Sequence, residues 1–170
     1  MTAGLGRRAA DWSRRLNYVM ERLCALIMAV LVLDVWLGVA ARYVLPWQLT
    51  FTEELARYLM IWVALLAVSC GIAGREHIGV AVLFDRLPPP LQRPLLLLLD
   101  LIAFCFFAYL FYFGLGFAGS GASRFSMIFG MSKLLPFSAV PAAAALACIQ
   151  IALVAARDHF APVPAVAREV

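Results

Sequence analysis

The 170-residue chain is 65% hydrophobic and 14% charged, with a mean hydropathy of +0.92. A soluble domain is about half apolar and about a quarter charged, so a water-soluble fold is excluded, and a net charge of +4 gives no support to a nucleic-acid binder. The composition admits a handful of bilayer spans of roughly 20 residues each and little else.

The expected fold class is an all-α integral membrane protein with four transmembrane helices and short interfacial helical segments. The N-terminal leader carries Arg7, Arg8, Arg14 and Arg15. Trp12, Leu16, Val19 and Leu23 recur at helical spacing, which predicts an amphipathic segment over 8–19 that lies at the interface and runs into the first span, 20–42. A solvated basic leader that only sets orientation is the alternative. Gly38 and Ala40 offer a small-residue cleavage site, but the apolar run before them exceeds a signal peptide's about 7–15 residues and contains Asp34. A retained helix is therefore expected. A bare carboxylate in hydrocarbon costs at least ~2.5 kcal/mol, so Asp34 must face protein or water, or be protonated.

Arg42 and Tyr43 close this span as interfacial residues, and Trp47 continues the aromatic belt after Pro46. Thr50 and Glu53 fit a capping box. Glu53 and Glu54 suit the positive end of the helix dipole, and Arg57 stands one turn beyond Glu53. These carboxylates either cap the second span, 54–73, or form an acidic outer rim for another protein. Trp62 lies within that span, and Arg75, Glu76 and His77 restore charge after it.

Residues 78–87 are too short to span and predict an interfacial segment before Pro88-Pro89-Pro90. The third span, 95–117, is aromatic on all sides and holds Asp100 near its start. Gly114, Gly116, Gly119 and Gly121 are expected to loosen it into a loop whose part 125–131 dips into the interface. The fourth span, 134–156, carries many alanines, Gln150, and a Pro141 able to kink it.

Arginine and lysine set the orientation. Arg7, Arg8, Arg14, Arg15, Arg22, Arg75, Arg86, Arg93, Arg157 and Arg168 fall on one side, and only Arg42, Arg57, Arg124 and Lys133 on the other. The positive-inside bias then places both termini in the cytoplasm. The four cysteines fall one per span with no C-x-x-C pair, so redox and metal roles are not expected. No phosphate loop and no nucleophile with its base is present. The sequence calls for no cofactor and no enzyme activity.

Arg42-Tyr43 at the end of span one, Thr52-Glu53-Glu54-Leu55-Ala56-Arg57 opening span two, Trp62 within it, and Gly74-Arg75-Glu76-His77-Ile78 after it resemble the small, DctQ-like permease subunit of tripartite ATP-independent periplasmic (TRAP) transporters. The resemblance covers residues 17–156 and is most specific over 42–78. It implies a bacterial inner-membrane subunit that pairs with a large TRAP permease subunit holding the substrate and sodium sites. A periplasmic substrate-binding protein would deliver an organic acid. In that setting Arg42, Tyr43, Trp47, Glu53, Glu54, Arg57, Trp62, Arg75 and His77 are interface or anchor residues toward partners and membrane lipid. Asp34, Asp100 and Gln150 are intramembrane polar groups outside the pattern. The competing reading is an autonomous dimeric transporter that uses Asp34 for proton coupling, and a generic membrane assembly factor is a third.

Overall fold

The computed structural model describes residues 2–44, 49–74 and 89–160. They form five helices: α1 (Thr2–Val44), α2 (Phe51–Gly74), α3 (Pro89–Ala122), the single turn α4 (Leu134–Phe137) and α5 (Ala139–Phe160). Four segments are long and apolar enough to cross a membrane: Gly6–Val44, Phe51–Gly74, Pro94–Ala122 and Leu134–Asp158. The expected all-helical, four-span class is therefore the observed one. The segment 78–87 lies outside the described residues.

The leader and the first span are one uninterrupted helix. The first proline in the chain is Pro46, so nothing before it removes a helical donor. The face that α1 turns inward repeats with alternating steps of four and three: Gly6, Ala10, Ser13, Asn17, Met20, Cys24, Ile27, Leu31, Asp34, Gly38 and Ala41 are all buried or half-buried. A 3.5-residue repeat is the seam of a left-handed helix crossing. Here the seam is mostly small or polar, while Leu33 and Trp36 on the other faces are 70% and 75% exposed. Lipid is as apolar as leucine, so the hydrophobic effect does not drive these helices together. Close approach of small side chains and interhelical hydrogen bonds do.

α5 is the central element. It packs against α1, α2 and α3, and α1 also packs against α2. Ala139, Ala143, Ala144 and Ala147 are buried on it together with Ile151 and Val154. Ile72 of α2, Ala147 and Ile151 form a core against which Ala103 and Phe107 of α3 pack. The free thiols of Cys24 on α1 and Cys70 on α2 lie side by side. The fourth span begins in two pieces because Pro141 has no N–H to donate to the carbonyl one turn back. The chain passes from α4 to α5 through Ser138, whose N–H donates to Leu134 O at 2.8 Å.

The glycines of α3 do not loosen it. The helix continues through all four to Ala122, because two of them are contact points. A Cβ on Gly114 would meet the Pro141 backbone nitrogen at 3.3 Å, and one on Gly121 would meet Lys133 O at 2.8 Å. Beyond α3 the chain turns back in a short hairpin. Phe125 bridges Ser132, Ser126 N–H donates to Met131 O at 2.8 Å, and Lys133 N–H to Arg124 O at 2.8 Å. Gly130 supplies the left-handed turn, with φ +62°.

Gly121→Ala should lower the melting temperature of the detergent-purified protein, because a carbonyl cannot retreat as a side chain can. Overpacking of this kind costs ~1–3 kcal/mol. Gly119→Ala, whose Cβ would meet nothing within 4 Å, should leave the melting temperature unchanged or raise it.

Candidate functional site

The polar groups of the spans converge where α1 ends and α2 begins. The two helices come close because Gly38 has no side chain: a Cβ there would stand 3.0 Å from Thr52 Oγ1. Thr52 is buried, and its hydroxyl donates to Leu49 O at 3.0 Å. Thr50 stands in the turn just before α2.

The two adjacent carboxylates of the first turn part company. Glu53 turns to α1 and accepts a hydrogen bond from an Arg42 Nη at 3.3 Å, with both side chains largely exposed. Such a pair contributes little, since solvent screens it. Glu54 turns the other way. One of its oxygens accepts from the Tyr58 hydroxyl, one turn on, and the other from Ser126 Oγ at 2.6 Å, 72 residues along the chain. Ser126 is buried, and its Oγ accepts the backbone N–H groups of Ile128 at 3.3 Å and Phe129 at 3.0 Å. The Phe129 ring also lies 6.4 Å from that of Phe51. Glu54 thus pins the hairpin tip to the start of α2 through one serine hydroxyl.

Between these fastenings lies a groove of 570 Å³. It is lined by Val35, Gly38, Val39 and Arg42 of α1, by Leu49, Thr50, Thr52, Glu53 and Ala56, and by Ile128 of the hairpin. The hairpin presents Phe125, Met127 and Met131 outward. No group of three potential metal-binding side chains occurs among the described residues.

The other expected residues are dispersed. Tyr43 and Arg57 are exposed, Trp62 is half-buried, and Asp100 is half-buried in α3. Asp34 lies in the α1 seam at 6% exposure, and its Oδ2 has no hydrogen-bond partner among the described residues. Gln150 is fully buried and donates to Ser13 Oγ at 2.7 Å, which ties α5 to the leader. Trp47, Arg75 and His77 fall outside the described residues.

Sequence reasoning missed Tyr58, Ser126 and Ser13. Tyr58 was within reach, because it follows Glu54 by one helical turn. Ser126 is one of several serines in a loop, and nothing local distinguishes it. Ser13 sits among arginines and off the apolar stripe of Trp12, Leu16, Val19 and Leu23, so neither charge nor apolar periodicity marks it.

Residues 31–160 match the family described as tripartite ATP-independent periplasmic transporters, DctQ component. The chain belongs to this family. It is 36% identical over 87 residues to a Haemophilus influenzae protein named as a TRAP transporter small permease, a match covering 51% of this chain and 54% of that one. It is 46% identical over 43 residues to the isethionate TRAP transporter permease protein DctMQ of Oleidesulfovibrio alaskensis, covering 25% of this chain and 7% of the other. The chain thus spans about half the length of the first relative and a small part of the second. As a DctQ-type small permease subunit it is a multi-pass membrane protein and a transporter component. The matched region includes Asp34, the Arg42–Glu53 pair, Glu54 and the hairpin.

If the hairpin depends on Glu54, then Ser126→Ala and Glu54→Gln should each speed hydrogen exchange at the Phe129 and Gly130 amides. Glu53→Gln should leave those amides unchanged. Equal exchange in all three variants would mean that the backbone bonds alone hold the hairpin.

Proposed function

We propose that this DctQ-type subunit is the scaffold of a sodium-driven TRAP importer of an organic acid. On this reading it pairs with the large permease subunit, receives no substrate itself, and lies in the bacterial inner membrane with both termini in the cytoplasm. A periplasmic binding protein brings the substrate to the outer face.

The observation that carries the reading is where the polar groups go. Arg42 with Glu53, Glu54 with Tyr58 and Ser126, and Gln150 with Ser13 bond one another within the subunit. The broad apolar surface of α3, with Leu101, Phe106, Tyr109 and Tyr112 exposed, is left for lipid or a larger membrane partner. A hydrophilic substrate needs convergent polar groups facing a cavity. The groove at the outer end has only Arg42, Glu53 and two threonines on its lining. The excess of arginine on the leader side supports the orientation.

Affinity purification of the tagged chain from its native membrane should recover a much larger multi-span protein in fixed ratio. Recovery of this chain alone as a stable dimer would overturn the scaffold reading. Charge reversal at both Glu53 and Glu54 should lower recovery of the large subunit and uptake while insertion stays normal.

One observation keeps an autonomous proton-coupled transporter in view: Asp34 is buried, with one oxygen that has no partner among the described residues. Asp34→Asn separates the readings. In a scaffold it should alter assembly or thermal stability and leave the proton dependence of transport unchanged, whereas an autonomous exchanger would lose coupling altogether.

A further inference from the structure

We propose that the outward face of the α1 leader, Arg8, Arg15 and Arg22 interleaved with Trp12, Val19 and Leu23, binds the headgroups of anionic phospholipids. The three arginines recur every seven residues, so they share one stripe of the helix. That stripe lies opposite the seam of Gly6, Ala10, Ser13, Asn17 and Met20. All three arginines are exposed, and Trp12 is 64% exposed. The leader's two acids are engaged elsewhere. Asp11 holds Arg14 at 2.6 Å, and Glu21 accepts from Asn17 at 2.7 Å. Arg22 stacks over the Tyr18 ring at 4.2 Å.

The depth of the stripe follows from three contacts. Cys24 lies beside Cys70, and Ile72, just beyond, packs with Ala147 and Ile151. Cys24 is therefore level with that stretch of α5. Ser13 precedes Cys24 by about 16 Å of helix at 1.5 Å per residue, yet it bonds Gln150 in the same stretch. α1 must cross α5 obliquely below Cys24. Gln150 itself lies within the apolar segment Leu134–Asp158. The leader thus stays packed against α5 at the end of the spans and does not stand away from the bundle. A guanidinium on a stem laid over apolar neighbours reaches headgroup phosphates, and an exposed tryptophan settles at the same depth. Charge complementarity selects anionic over zwitterionic headgroups. The inference requires only that the leader lie at one membrane face, so it survives if the proposed partner or orientation fails.

The test uses the full chain, with any partner that co-purifies, in nanodiscs of phosphatidylcholine with and without phosphatidylglycerol. Phosphatidylglycerol should raise the melting temperature, and native mass spectrometry should show it retained in preference to phosphatidylcholine. Replacing Arg8, Arg15 and Arg22 with glutamine should remove the increment and lower retention by about fivefold per arginine. The corresponding lysine variant should keep most of both, which separates loss of charge from misfolding. Stabilisation of the glutamine variant equal to that of the wild type, or equal stabilisation of the wild type by phosphatidylcholine alone, would overturn the proposal. So would stabilisation of the same size by soluble heparin without anionic lipid, since the stripe would then be a general polyanion surface.

Discussion

Everything in this subunit depends on helices that must associate in a solvent offering them no hydrophobic reward for doing so. The outcome is an inverted distribution of residues. Large side chains such as Leu33, Trp36, Phe106 and Tyr112 face outward, while Gly38, Ala41, Ala139 and Ala147 mark the contacts. Small residues mark where another part of the chain comes close. Gly38 admits Thr52, and Gly121 admits Lys133. The burial of Ser13 and Gln150 follows the same rule: two polar side chains are placed against each other so that neither meets lipid.

The end of the bundle where α1 meets α2 shows how two neighbouring carboxylates come to do different work. Successive helix positions differ by about 100° in direction, so Glu53 and Glu54 cannot serve the same neighbour. Glu53 faces α1 and meets Arg42 in solvent. Glu54 faces the hairpin and meets a buried hydroxyl. The exposed pair stays open to solvent, and the half-buried Glu54 fastens the hairpin.

The number and type of the spans were legible because length and hydropathy alone decide them. The seam of α1 was not. A search for apolar periodicity picks out Trp12, Leu16, Val19 and Leu23, of which all but Leu16 are exposed. The inward face is the one marked by small and polar residues, Ser13 and Asn17 among them, which such a search discards. The glycines of α3 were misjudged for a related reason. In water a glycine run weakens a helix, but between spans Gly114 and Gly121 are the places where another backbone touches. The Glu54–Ser126 bond joins residues 72 positions apart, and no local pattern encodes a contact of that range. The Arg42 and Glu53–Glu54 motif was legible as a group, although the pairing of Arg42 with Glu53 had to come from the fold.

The central position of α5 has a consequence for how the protein is made. Among the described helices, α3 packs against α5 and the neighbouring turn α4, and the leader is fastened to Gln150 of α5. α5 follows all the others in the chain, so it is synthesised after them. When α1, α2 and α3 have already left the ribosome, the first two can pair, but α3 has no site on them and the seam of the leader has no cover. The bundle can therefore be completed only once α5 has been made, and a nascent chain stalled before residue 139 would leave Ser13, Asn17 and the α3 glycines without the helix that covers them.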